Sequence, residues 1–108
     1  MQKGILTDKF TREWVASLAK DDHRSSSDVR FQEPELSKNL ALVEGLKPIA
    51  QAAGRSVAQL AIAWTLRRPE VTSAIVGARK PSQIEETVGA GDWTLSADEI
   101  RAVDALLA

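Results

Sequence analysis

Cysteine and tyrosine are both absent from this 108-residue chain. Without cysteine there can be no disulfide, no thiolate nucleophile and no thiolate metal ligand, a usage that fits a reducing cytoplasm. Without tyrosine, no phenol is present to donate a proton. Histidine occurs once, at His23, so no cluster of imidazole metal ligands can form and no metal is expected. An excess of charge is missing too. Fourteen Lys and Arg against 15 Asp and Glu leave a net charge of -1, which gives no general attraction to nucleic acid or to an anionic membrane. No window approaches the roughly 18 consecutive apolar residues of a membrane span, and the opening Met1–Phe10 does not read as a signal peptide. Repeats and low-complexity segments are lacking. What is left, 44% hydrophobic and 27% charged, is the composition of a globular domain with a real core.

Periodicity divides the chain into short elements. Lys3 to Leu6 is an apolar stretch that predicts a strand. Thr11 can cap a short helix bearing Trp14, Val15 and Leu18 on one face. Lys20 to Glu33 is polar throughout, predicting a long, mobile loop over about 20–33. Leu36, Leu40, Val43, Ile49 and Ala53 then follow helical spacing, with Gly54 as the stop and Pro48 expected to kink the helix. Ser56 with Gln59 forms a capping-box signature for a buried helix from Val57 to Arg68, ended by Pro69. Val71 to Val76 is β-branched, brief and closed by Gly77, which predicts the best strand in the chain. Pro81 opens a helix running to about Ala90, and Ser96 with Glu99 caps a last one whose apolar face is Ile100, Val103, Leu106 and Leu107. The order strand, helices, strand, helix, helix implies an α/β class with mostly helix.

The segment Ile75 to Gln83 carries the chemistry. A strand ends at Gly77, two cations follow at Arg79 and Lys80, and a helix begins at Pro81. The first amides of a helix lack internal partners and its dipole is positive there, so anions are favoured. Spacing alone is equally compatible with a phosphate seat and with an ordinary solvated turn bearing two surface cations. Other features are blander. His23 lacks a carboxylate and nucleophile at catalytic spacing. Trp64, with apolar neighbours on both sides, is expected in the core. The helices flanking Gly54 mimic a helix-turn-helix. Its second helix, however, offers no base-reading face on a chain that is not basic.

Several runs in order resemble the aldo-keto reductases. Gly77 to Glu86, Gly-Ala-Arg-Lys-Pro-Ser-Gln-Ile-Glu-Glu, is similar to that family's signature after its eighth strand. Ser56 to Trp64 resembles the helix before that strand, and Gly4 to Lys9 the end of strand seven with its loop. Trp93 to Ser96, followed by an acidic helix, resembles the closing segment. The resemblance covers essentially the whole chain. It implies the C-terminal part of a (β/α)8 TIM barrel, a single partial domain over 1–108 with two short parallel strands, incomplete as a barrel.

The resemblance also implies a cofactor, NADP(H), and in the full-length parent a small aldehyde or ketone substrate. Gly77, Ala78 and Arg79 would line the adenosine side, with Arg79 facing the 2′-phosphate. Gln83 and Glu86 would lie toward the 2′-phosphate and adenine, joined by Thr87, which stands where asparagine is common. Gly4 belongs to the same strand-seven end, Lys9 would reach the pyrophosphate, and Arg24 would fold over the cofactor as a belt, with Arg30 as its competitor. Asp8 stands where the family usually has glycine, bringing a carboxylate toward the expected pyrophosphate. The family's Asp, Tyr, Lys and His tetrad comes from earlier strands, so no residue here is assigned a catalytic role and the isolated chain is expected to be inactive. Two strands cannot close a barrel, so self-association through open faces is expected. The alternative is a non-catalytic helical interaction module, or a truncated remnant, that binds no nucleotide.

Overall fold

The computed structural model describes all residues, 1–108, and the chain folds as six α-helices. These are α1 (Arg12–Ala16), α2 (His23–Ser26), α3 (Glu35–Ala52), α4 (Val57–Thr65), α5 (Pro81–Val88) and α6 (Ala97–Leu107). Single 3-10 turns lie at Gln2–Gly4, Val29–Phe31 and Gly89–Asp92.

The long helix α3 is the spine. It buries Leu36, Val43, Leu46 and Ala50 along one stripe and packs against α4, α6 and the Val29–Phe31 turn. Gly45 permits the α3–α6 approach, because a Cβ there would stand 2.6 Å from Leu106 Cδ2. Phe10 is wholly buried at the other end of this core, its ring edge-on to Phe31 at 5.9 Å and to Trp14 at 6.4 Å. Helix α4 buries Val57, Ala58, Leu60, Ile62 and Ala63. Trp64 is only half-buried. Its indole N–H donates to Asp104 on α6 at 3.1 Å, and Arg67 covers its ring.

Local signals translate directly. Thr11 accepts from the Trp14 amide, both capping boxes close, and Pro81 opens α5. Pro48 does not break α3; the helix runs through it as one element. Helix α4 stops at Thr65 rather than Arg68, and Leu66 already leaves helical geometry ahead of Pro69.

Neither expected strand forms. Gln2 and Lys3 adopt left-handed backbone angles, and the amides of Gly4, Ile5 and Leu6 donate back to Met1 and Gln2. Lys3–Leu6 is therefore a coil around a turn. Val71–Val76 is an unpaired stretch, and no backbone amide from Thr72 to Ala78 donates to a backbone carbonyl. A β-strand is stabilised by its neighbour's hydrogen-bond ladder, and no segment of this chain lies alongside to supply one. The two parallel strands are thus absent, and the chain is helical.

The polar stretch 20–33 is also not a simple loop. Asp22 accepts from the Arg24 amide and its carboxylate grips the Arg24 guanidinium at 2.5 Å; Asp28 treats Arg30 the same way at 2.8 Å. Each Asp-x-Arg triplet thus caps a turn and ties down its own arginine. Between them Ser25 donates to the Ala19 carbonyl, and Phe31 drops into the core.

Candidate functional site: a cationic cleft between the amino-terminal coil, α2 and α5

A cleft of about 650 Å³ opens where Gly4, α2 and the Val76–Arg79 segment converge on α5. Gly4, Arg24, Gly77, Ala78, Arg79, Gln83, Glu86 and Thr87 all line it. Lys9 does not; it is exposed outside the lining. Lys3, Thr7, Asp22, His23 and Ala58 complete much of the wall, and the sequence assigns none of these five a role in the site. The Asp-x-Arg triplets were the available signal for Asp22.

Gly4 is required where it stands. Its φ is +101°, and an added Cβ would lie 2.9 Å from Trp14. Thr7 hydroxyl donates to the Gly4 carbonyl at 2.7 Å and closes the turn. Gly77 is different, since a Cβ there would meet nothing within 4 Å, so its cleft face is open.

The wall facing Gly4 is organised by Gln83. Its side-chain carbonyl accepts from the amides of Arg79 at 2.5 Å and Lys80 at 3.2 Å, which fixes the entry to α5. This engages the carbonyl oxygen of a side chain that the resemblance placed toward the 2′-phosphate and adenine. Glu86 is likewise engaged: Ser56 hydroxyl donates to it at 2.7 Å, while Gln59 donates to the Glu86 carbonyl at 2.8 Å. Thr87 hydroxyl returns to its own helix at Ile84.

Charge in the cleft is uneven in its pairing. Arg24 is held by Asp22, donates to the Lys3 carbonyl at 3.1 Å and lies 5.3 Å over the Trp14 ring. The guanidinium hydrogen bonds hold the Asp22 carboxyl at about 2, below its ordinary 3.8. Lys3 pairs with Asp28 at 3.1 Å and stands 2.8 Å from His23 Nε2. Asp28 is kept well below the usual carboxylate range, first by Arg30 and then by Lys3. Arg30 faces Asp28 and Gln2 and does not line the cleft, so Arg24 is the arginine of this segment that does. Arg79 remains. It is exposed, and its side chain has no ion pair or hydrogen-bond partner. The cleft thus combines satisfied cations with one free guanidinium at the mouth of a helix, an arrangement suited to a phosphate dianion.

Asp8, placed by sequence near a pyrophosphate, does not line the cleft. Its carboxylate accepts from the Val57 amide at 3.0 Å, capping α4 from 49 residues away.

A family model described as the aldo/keto reductase family matches residues 1–108. The chain is 35% identical over 106 residues to aldo-keto reductase YhdN of Bacillus subtilis (strain 168), covering 97% of this chain and 31% of that protein. It is 34% identical over 109 residues to L-glyceraldehyde 3-phosphate reductase of Escherichia coli O157:H7, covering 96% of this chain and 30% of the other. A probable voltage-gated potassium channel subunit beta of Arabidopsis thaliana is 37% identical over 95 residues, 85% of this chain and 28% of its own length. The chain spans about a third of the length of the curated relatives it matches.

Proposed function

Because this chain belongs to the aldo/keto reductase family, we propose that it forms the NADP(H)-binding portion of an oxidoreductase that reduces aldehydes or ketones. The observation that carries the reading is Arg79, the unpaired guanidinium in a cleft whose other cationic side chains are satisfied. Its planar fork matches a phosphate better than an ammonium does, and α5 adds the positive end of its dipole. Gly77 and Ala78 leave the approach to that fork uncrowded, and Arg24 closes the opposite side. When bound, the dinucleotide would supply the hydride. The residues of this chain would orient and hold it.

With no tyrosine, the chain offers no phenol to protonate a carbonyl. Reduction by the 108 residues alone is therefore not expected.

Titration of the chain with NADPH and NADH, before and after Arg79→Ala, tests the reading. A charge-assisted contact to phosphate is worth roughly 1.5–3 kcal/mol, so NADPH should weaken by about 10- to 100-fold while NADH changes little. Equal losses for both would overturn the phosphate contact.

A second reading has one observation in its favour. An apolar hollow of about 600 Å³ lies between α3, α4, α6 and residues 73–77, with Leu42, Leu46, Leu60, Ile62 and Val103 in its walls. Such a face suits a helical interaction module, and failure to bind either nucleotide would favour that reading.

A further inference from the structure

The amino end of α4 joins the two walls of the polar cleft. On one side Asp8 reaches it from the coil that carries Gly4 and Thr7. On the other, Ser56 and Gln59 hold Glu86 on α5. Between these anchors Ala58, on the first turn of α4, lines the cleft itself.

The amide that Asp8 satisfies has no alternative. Ser56 hydroxyl already accepts from Gln59, not from Val57, and Val57 is 0% exposed. Without the Asp8 carboxylate, a buried N–H at the positive end of a helix would lose its partner, which is costly. A neutral acceptor can make the same bond. A glycine cannot.

From this we infer that Asp8 is a positioning residue for the nucleotide cleft: its side chain fixes the Gly4–Thr7 wall against the first turn of α4, and its negative charge is committed there rather than set against a bound phosphate. The inference rests on the nucleotide reading above for its affinity arm alone. Asp8 touches no ligand in this account and acts through Gly4, Thr7 and Ala58.

The experiment compares the full 108-residue chain with Asp8→Gly and Asp8→Asn by amide hydrogen exchange, by the Gly4 and Thr7 amide shifts, and by NADPH titration. Asp8→Gly should speed Val57 exchange by at least about tenfold, move the Gly4 and Thr7 signals, and weaken NADPH by roughly three- to tenfold. Asp8→Asn keeps the acceptor and removes the charge, so it should match the unaltered chain in all three. Unchanged Val57 exchange in Asp8→Gly would overturn the inference. So would an Asp8→Asn variant that binds NADPH markedly more tightly, since the carboxylate would then be repelling the ligand. If the unaltered chain binds no NADPH, the nucleotide reading fails, and the exchange and shift data still decide the role of Asp8.

Discussion

Replacing Phe10 by alanine should remove the joint between the amino-terminal coil and the α3 spine. Phe10 is 0% exposed, and its ring meets both Phe31 and Trp14 edge-on. An aromatic side chain buries roughly 150 Å² or more, and at about 25 cal/mol per Å² that corresponds to about 4 kcal/mol. The Cβ that alanine retains returns roughly 1 kcal/mol, and two lost edge contacts remove about as much again. The expected loss is therefore about 4 kcal/mol, within the range of roughly 3–5 seen for Phe→Ala in cores. For a domain of this size total stability is roughly 5–15 kcal/mol, so the variant should be visibly marginal. Urea unfolding followed by tryptophan fluorescence and by far-ultraviolet circular dichroism measures the effect. The midpoint should fall with little change in slope. Phe10→Leu, which refills most of the space, should lose only about 1 kcal/mol. A Phe10→Ala loss under about 1 kcal/mol would show that the ring is not part of a cooperative core and would refute this packing account.

The carboxyl groups of the 20–33 segment give a second expectation. Asp22 titrates at about 2 against an ordinary 3.8, and Asp28 and Glu33 are also lowered, Glu33 chiefly by the Ser37 hydroxyl and then by Arg12. Lowered carboxyl values stabilise the fold above the unfolded value and cease to do so as pH falls through the folded one, so the Asp22 contribution should fade between pH 3.8 and about 2. Trp14 emission, reporting the guanidinium stacked over its ring, should change in that window and stay flat above it. A third expectation concerns Thr72–Ala78, where backbone amides are unpaired and Ile75 is fully exposed. The 108-residue chain should associate as concentration rises, by light scattering, and Ile75→Lys should suppress it; a monodisperse monomer would count against this.

What the sequence disclosed was mostly local. Ser56 with Gln59, Ser96 with Glu99, Thr11 and Pro81 each act within one turn, so their spacing alone names the bond they form. Eight residues chosen by resemblance converge on one cleft, although the resemblance did not foresee that Gln83 and Glu86 would already have partners within the chain. The polar stretch 20–33 has the hydrophilicity of a solvated loop, yet it folds into a short helix and a 3-10 turn. Its two Asp-x-Arg triplets build turns whose outward charges neutralise one another, and Phe31 pins them to the core. Asp8 was illegible for a different reason. Its partner lies 49 residues away, and no pattern in either segment marks the other.

The missing strands show what periodicity cannot supply. Val71–Val76 has the β-branched composition of a segment covered on both faces, but composition records a preference and a strand also needs neighbours. The family's fold is a TIM barrel, in which each strand is flanked by two others. This chain spans about a third of its relatives' length, and within it residues 72–76 have no such neighbours. The same deficit bears on the cleft, since Gly77, Ala78 and Arg79 form its far wall at the end of the unpaired segment. That wall is anchored from the α5 side alone, where Gln83 accepts from the amides of Arg79 and Lys80. A phosphate arriving there must order the wall as well as contact it, and ordering costs conformational entropy that a flanked strand has already lost on folding. Affinity of the 108-residue chain for NADPH should accordingly fall below that of a chain in which residues 71–78 lie between two strands.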